Sequence, residues 1–116
     1  MKYISREERP WGRFYILNES KKFKIKKIEV DPNQRLSYQF HKKRSEIWVI
    51  IEGTAHITLD GKTFIKEKED IIEIPKNIKH RVQNQCSQKL VFIEIQTGNY
   101  FGEDDIVRIE DDYNRK

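Results

Sequence analysis

The sequence predicts an all-β domain, a barrel or a two-sheet sandwich, and three observations carry that prediction. Apolar, β-branched and aromatic residues fall in short runs broken by turn residues. No segment sustains a helical period. Asp60-Gly61 sits between two strand-like runs, and Asp-Gly is the dipeptide that best suits the positive φ angles of a type I′ hairpin turn.

The elements follow in chain order. Phe23 to Val30 alternates imperfectly and ends at the Asp31-Pro32-Asn33 turn. Leu36 to His41 is a second extended piece, and Ile47-Trp48-Val49-Ile50-Ile51 is a continuous apolar strand stopped by Glu52-Gly53. Thr54 to Leu59 and Lys62 to Lys66 form the Asp60-Gly61 hairpin. Ile71 to Ile74 ends at Pro75, which cannot donate into a ladder, and His80 to Asn84 and Leu90 to Gln96 follow. Roughly eight short strands packed this densely exclude a βαβ design. The tail beyond Tyr100 is expected to form one or two helical turns around Asp104 to Arg108, with Glu103, Asp104 and Asp105 as helix N-terminal acids.

Length and composition bound the function. The 116 residues read as one domain over residues 1–116, large enough for a single core. The one cysteine, Cys86, excludes an intrachain disulfide and a cysteine-rich zinc site. The first ten residues lack the apolar stretch of a signal peptide, and no apolar run is long enough to span a membrane, so a cytoplasmic protein without membrane contact is expected. The net charge of +4 does not indicate nucleic acid, because lysines alternate with acids, as in Lys66-Glu67-Lys68-Glu69-Asp70. The denser Lys42-Lys43-Arg44 cluster suits a small anionic substrate.

Gln39, His41, Glu46 and His80 are the residues that carry chemistry. Positions 39 and 41 lie two apart on an extended piece and share a face. The short connection Lys42 to Ser45 folds Glu46 back beside His41, and His80 opens a later strand. Two imidazoles, a carboxylate and an amide oxygen make a mixed nitrogen and oxygen shell for a divalent metal. With no thiolate, zinc, manganese, iron, cobalt and nickel all remain compatible, and zinc is the ion expected.

These residues fall on known motifs. Asn33, Gln39, His41, Glu46 and Gly53 match the spacing of the first cupin motif, and Glu69, Pro75, Asn77, His80 and Asn84 that of the second. Asn33, Glu69 and Asn77 replace motif glycines, and Gln39 replaces the first motif histidine, which weakens the donor set and argues against an oxygenase. The chain thus resembles the cupin superfamily, which implies a double-stranded β-helix (jelly-roll) barrel with short N- and C-terminal extensions. Arg9-Pro10-Trp11-Gly12, Leu36 to His41, Arg44 to Trp48, Ile93 to Gly98, Gly102 to Arg108 and Asp111-Asp112-Tyr113 narrow the resemblance. Together they resemble the type II mannose-6-phosphate isomerase domain, usually found C-terminal to a mannose-1-phosphate guanylyltransferase domain. This sequence lacks the nucleotidyltransferase part, so guanylyltransferase activity is not expected.

The resemblance implies a metal-dependent aldose–ketose isomerase that interconverts mannose 6-phosphate and fructose 6-phosphate through an enediolate. It also implies a role in GDP-mannose biosynthesis and a homodimer. Glu94, on an apolar strand, is the candidate base, since an inward-facing glutamate has a raised pKa, with an outward, solvated Glu94 as the alternative. Arg108 is the candidate for stabilising the enediolate, with an ion pair to Asp104, Asp105 or Asp112 as its alternative. Arg44, Lys26 and Arg81 are the candidate phosphate ligands, the arginines for their bidentate grip. Trp11 is expected in the core or as a wall of the sugar pocket. Two other functions stay open: isomerisation of another sugar phosphate, and a non-catalytic sugar- or metal-binding cupin.

Overall fold

A computed structural model describes residues 2–115 of the chain. Eleven strands occur among them: β1 (Ser5–Arg9), β2 (Gly12–Glu19), β3 (Phe23–Val30), β4 (Tyr38–Phe40), β5 (Arg44–Glu52), β6 (Ala55–Leu59), β7 (Lys62–Lys66), β8 (Ile71–Ile74), β9 (His80–Gln83), β10 (Leu90–Gly98) and β11 (Val107–Glu110). They form two antiparallel sheets, one ordered β1-β2-β3-β10-β5-β8 and the other β11-β4-β9-β6-β7. Strands adjacent in space are often distant in sequence, as β3 and β5 are on either side of β10.

Alternation explains the layering. Along β2, β5 and β10 every second side chain is buried, so one face of each strand is removed from water. Phe14, Ile28, Val30, Trp48, Ile50, Ile72, Leu90 and Phe92 of the first sheet meet Ala55, Ile57 and Val82 of the second in one apolar cluster. Burying such side chains is the main source of stability, at about 1.5–3 kcal/mol each. No helix among the described residues is long and apolar enough to cross a membrane.

The turn chemistry behaves as the residues demand. Asp60 and Gly61 both take positive φ, 47° and 83°, as a type I′ turn requires. The three residues standing at motif glycines, Asn33, Glu69 and Asn77, also take positive φ, 62°, 76° and 66°. Asparagine adopts this region readily, but glutamate does not.

Two sequence expectations need correction. The tail forms no helical turns over 104–108; it forms β11, whose Val107 and Arg108 pair with Phe40 and Gln39 of β4. The short alternation Val107-Arg108-Ile109-Glu110 has the period of a strand. Hence Glu103, Asp104 and Asp105 are not helix N-terminal acids but part of the loop before β11. The ribbon β1-β2, before the first predicted strand, is also present. Its outward Tyr15 is covered by Arg6 and Lys27, at 5.4 and 5.1 Å from the ring centroid, so its alternation is masked by aromatic residues on both faces.

Candidate metal centre and substrate cleft

The site bridges the two sheets. Gln39 of β4 and His80 of β9 are direct register partners on one sheet, and Glu46 of β5 lies on the other. His41 follows β4 immediately. One donor atom from each of His41, Glu46 and His80 lies within 4.8 Å of the others, and all three residues are buried.

Backbone carbonyls orient both imidazoles. His41 donates its Nδ1–H to the Asp105 carbonyl at 2.6 Å, and His80 donates its own to the Ile78 carbonyl at 2.9 Å. A carbonyl only accepts, so in each neutral ring the lone pair is left on Nε2. Burial pushes the His41 pKa down, against the pull of Glu46, which keeps that ring in its ligating form. Glu46 is gripped from two sides: Trp48 Nε1–H donates to Oε1 and Arg44 Nε–H to Oε2, both at 2.9 Å. Burial opposes its ionisation, but the Arg44 charge, followed by His41 and His80, holds its carboxyl at about 2.

These residues fit a divalent metal. The donor set is two imidazoles and a carboxylate, and the buried Gln39 Oε1 meets no hydrogen-bond donor among the described residues. An orphaned amide oxygen beside two aimed imidazoles is the arrangement a cation satisfies.

A cleft of about 100 Å³ opens over this cluster, and Lys26, Arg44, Glu94, Glu103 and Arg108 line it. Glu94 of β10 is buried, and burial, then the charge of Glu46, pushes its carboxyl up to about 8 against Lys26 and Arg44. Gln96, fully buried, donates to Glu94 Oε1 at 2.5 Å. Lys26 is buried above the Phe14 ring, 4.1 Å from its centroid, and its Nζ lies 3.1 Å from Glu103 Oε1. Arg44 Nη1 lies 3.6 Å from the other oxygen of Glu103. Arg108, the register partner of Gln39, has its pKa lowered by burial and by Arg115.

The structure therefore places Gln39, His41, Glu46, His80, Glu94, Lys26, Arg44 and Arg108 on one cleft. It places Arg81 elsewhere: its guanidinium donates to the Leu36 carbonyl at 2.9 Å and to Glu110 Oε1 at 2.8 Å, tying β11 to β9. Trp11 takes both expected positions, since it belongs to the apolar cluster and lines the cleft. Arg9 and Arg115 also line the cleft and were not singled out from the sequence, and Glu103, read there only as a helix N-terminal acid, lines it too. Arg9 and Glu103 lie within motifs that mark the chain, which was the available signal.

Similarity to known proteins agrees with this geometry. A family model described as mannose-6-phosphate isomerase C-terminal matches residues 2–111. The chain belongs to that family. It is 43% identical over 107 residues to the alginate biosynthesis protein AlgA of Pseudomonas aeruginosa, covering 92% of this chain and 22% of that protein. It is 40% identical over the same length to a mannose-1-phosphate guanylyltransferase of Klebsiella pneumoniae, covering 92% of this chain and 23% of that one. The chain thus spans less than a quarter of the length of these relatives. Among solved structures, the capsular polysaccharide assembling protein CapF of Staphylococcus aureus superposes with a TM-score of 0.82 at 14% identity, over 91% of this chain and 32% of CapF. An RmlC-like cupin from Shewanella frigidimarina gives 0.73 at 20% identity, over 86% of each chain. At these identities the superpositions establish the cupin-type fold alone. This family member thus pairs a cupin-type fold with a buried, metal-competent triad.

Proposed function

We propose that this protein is a metal-dependent aldose–ketose isomerase acting on mannose 6-phosphate and fructose 6-phosphate. The observation that carries the reading is the buried triad His41, Glu46 and His80 with Glu94 on the same cleft. A divalent cation, zinc by preference, held by Gln39, His41, Glu46 and His80 would supply positive charge against the negative charge that develops on the sugar oxygens.

The chain's own groups do the rest. The Glu94 carboxylate takes the proton from C2 of the aldose, leaving an enediolate; the hydroxyl proton on O2 passes to O1, and the Glu94 carboxyl returns its proton to C1 to give the ketose. A carboxyl held near 8 retains such a proton far better than an ordinary glutamate. Arg108 offsets charge on the enediolate. Lys26 and Arg44 bind the phosphate as the inner cations of the cleft. Arg81, committed to Leu36 and Glu110, takes no part. We extend the reading to a closed jelly-roll barrel, a cytoplasmic homodimer and a supply of mannose phosphate for GDP-mannose, all of which rest on family membership.

A second reading, a sugar-binding cupin without turnover, is favoured by one observation. Arg44 already contacts two of the ligating groups, Glu46 Oε2 at 2.9 Å and His41 Nε2 at 3.4 Å, and so neutralises the site on its own. Fructose 6-phosphate formation from mannose 6-phosphate by metal-reconstituted protein separates the two. Turnover that disappears on chelation and in His41→Ala, and falls in Arg108→Ala, supports the isomerase. Tight sugar phosphate binding without turnover supports the binding module.

A further inference from the structure

The loop between β10 and β11 is fastened to the backbone around Lys43 at both ends, and Glu103 lies between the two fastenings. At one end Gly98 takes a φ of 148° and lies so close to Lys43 that a Cβ there would come within 2.4 Å of its carbonyl oxygen. At the other, the buried Asp105 accepts from the backbone N–H of Lys42 at 3.1 Å and of Lys43 at 2.9 Å, while its carbonyl orients His41. Between these anchors Glu103 reaches back over the cleft and sets one carboxylate oxygen on Lys26 and the other toward Arg44. Burial opposes ionisation of Glu103, but Lys26 and then Arg44 hold its carboxyl low. The side chain stays 46% exposed, whereas Lys26 and Arg44 are 4% and 6% exposed. The buried cations are fixed, and the anion that bridges them comes from the solvent side.

We propose that Glu103 is a built-in competitor for the anion seat, displaced when the phosphate of a substrate arrives. The proposal rests on the reading of Lys26 and Arg44 as the phosphate-binding pair. Two anionic groups cannot share that pair without strong like-charge repulsion, so the seat alternates between Glu103 and the ligand. The anchors at Gly98 and Asp105 let the Glu103 carboxylate swing out while His41 and the metal ligands keep their positions. The apparent dissociation constant is then the intrinsic one divided by the fraction of molecules with the seat open. That factor is a property of the protein alone, so it is the same for every anion that needs the seat. A glutamate that merely repelled ligands would penalise a phosphate dianion more than a monocarboxylate.

The test is calorimetric binding of inorganic phosphate and of glucuronate to metal-loaded wild type, Glu103→Gln and Glu103→Ala. Both anions are expected to bind the variants more tightly by one common factor, about three- to tenfold for a partly exposed ion pair. Metal affinity is expected to stay unchanged. Unaltered or weaker anion binding in the variants overturns the proposal, as does a gain that is larger for phosphate than for glucuronate. Weaker metal binding in Glu103→Gln overturns it as well, since Glu103 would then be part of the scaffold of the site. Lys26→Met tests the underlying seat separately: phosphate bound by this variant as tightly as by wild type removes the seat itself, whatever Glu103 does.

Discussion

The two ends of the space between the sheets are built from the same strands with opposite chemistry. Read inward along β3, the buried positions are Lys24, Lys26, Ile28 and Val30; along β5, Arg44, Glu46, Trp48 and Ile50; along β10 in reverse, Gln96, Glu94, Phe92 and Leu90. The register aligns the change of character, with Glu94 opposite Lys26 and Trp48, and Phe92 opposite Ile28 and Ile50. The apolar end holds itself together by burial, which needs no specific partner. The polar end carries buried charges, each of which needs a counter-charge: Lys24 has Glu19, Lys26 has Glu103 and Arg44 has Glu46. The difference teaches that the apolar half stabilises the fold and leaves the polar half available for chemistry.

The largest expected effect breaks the apolar half. Phe92 is fully buried, with its ring centroid 4.8 Å from that of Trp48. Phe92→Ala is expected to cost about 3–5 kcal/mol of unfolding free energy, read by denaturant titration. It also loosens Trp48, whose Nε1–H holds Glu46, so metal affinity is expected to fall with stability. A loss of stability below about 1 kcal/mol would show that the apolar half does not carry the fold.

In the polar half, Glu94→Gln should separate chemistry from stability. Turnover is expected to fall by about a hundredfold or more, the range for loss of a general base. Stability responds to pH with a definite sign. The folded pKa of Glu94, about 8, lies above the ordinary value of 4.5, so the native state binds the extra proton between these two values. Stability from this group is therefore full below about pH 4.5, is lost as pH rises toward 8, and changes no further above that. Glu46 acts oppositely: its pKa is depressed to about 2, so its contribution is present above 4.5 and is lost as pH falls toward 2. Glu94→Gln is expected to remove the decline between pH 4.5 and 8 and leave the acid limb intact, as followed by urea melts of chelator-treated protein.

This contrast also explains what the sequence made legible. The apolar strands Ile47 to Ile51 and Ile71 to Ile74, and the Asp60-Gly61 hairpin, are local patterns, and they lie in β5, β8 and the turn between β6 and β7. The His41, Glu46 and His80 cluster was legible because motif spacing encodes it, although its residues come from different sheets. Charges were harder to place. Lys26 and Arg81 look alike as cations in strand-like segments, yet one lines the cleft and the other fastens β11. Their partners, Glu103 and Glu110, lie 77 and 29 residues away, and no local period reports such distances. The tail was misread for the same reason: its acids resemble a helix start until the pairing of β11 with β4 is known.

The smallest expected effect concerns the rim of the apolar end, where strain serves no chemistry. Glu69 takes a φ of 76°, in the left-handed region, and its backbone N–H donates to the Ile50 carbonyl at 2.8 Å. Its side chain is exposed. A left-handed conformation costs a residue with a Cβ about 1–2 kcal/mol, part of which glycine gives back through its greater freedom in the unfolded chain. Glu69→Gly is therefore expected to stabilise the fold by about 0.5–1 kcal/mol, seen as a higher denaturant midpoint. Turnover and anion binding should not move, because the residue does not line the cleft. A gain in stability with unchanged activity would confirm that the two ends respond independently, and a loss of activity would show that strain at the apolar rim is transmitted through Ile50 and Trp48 to Glu46.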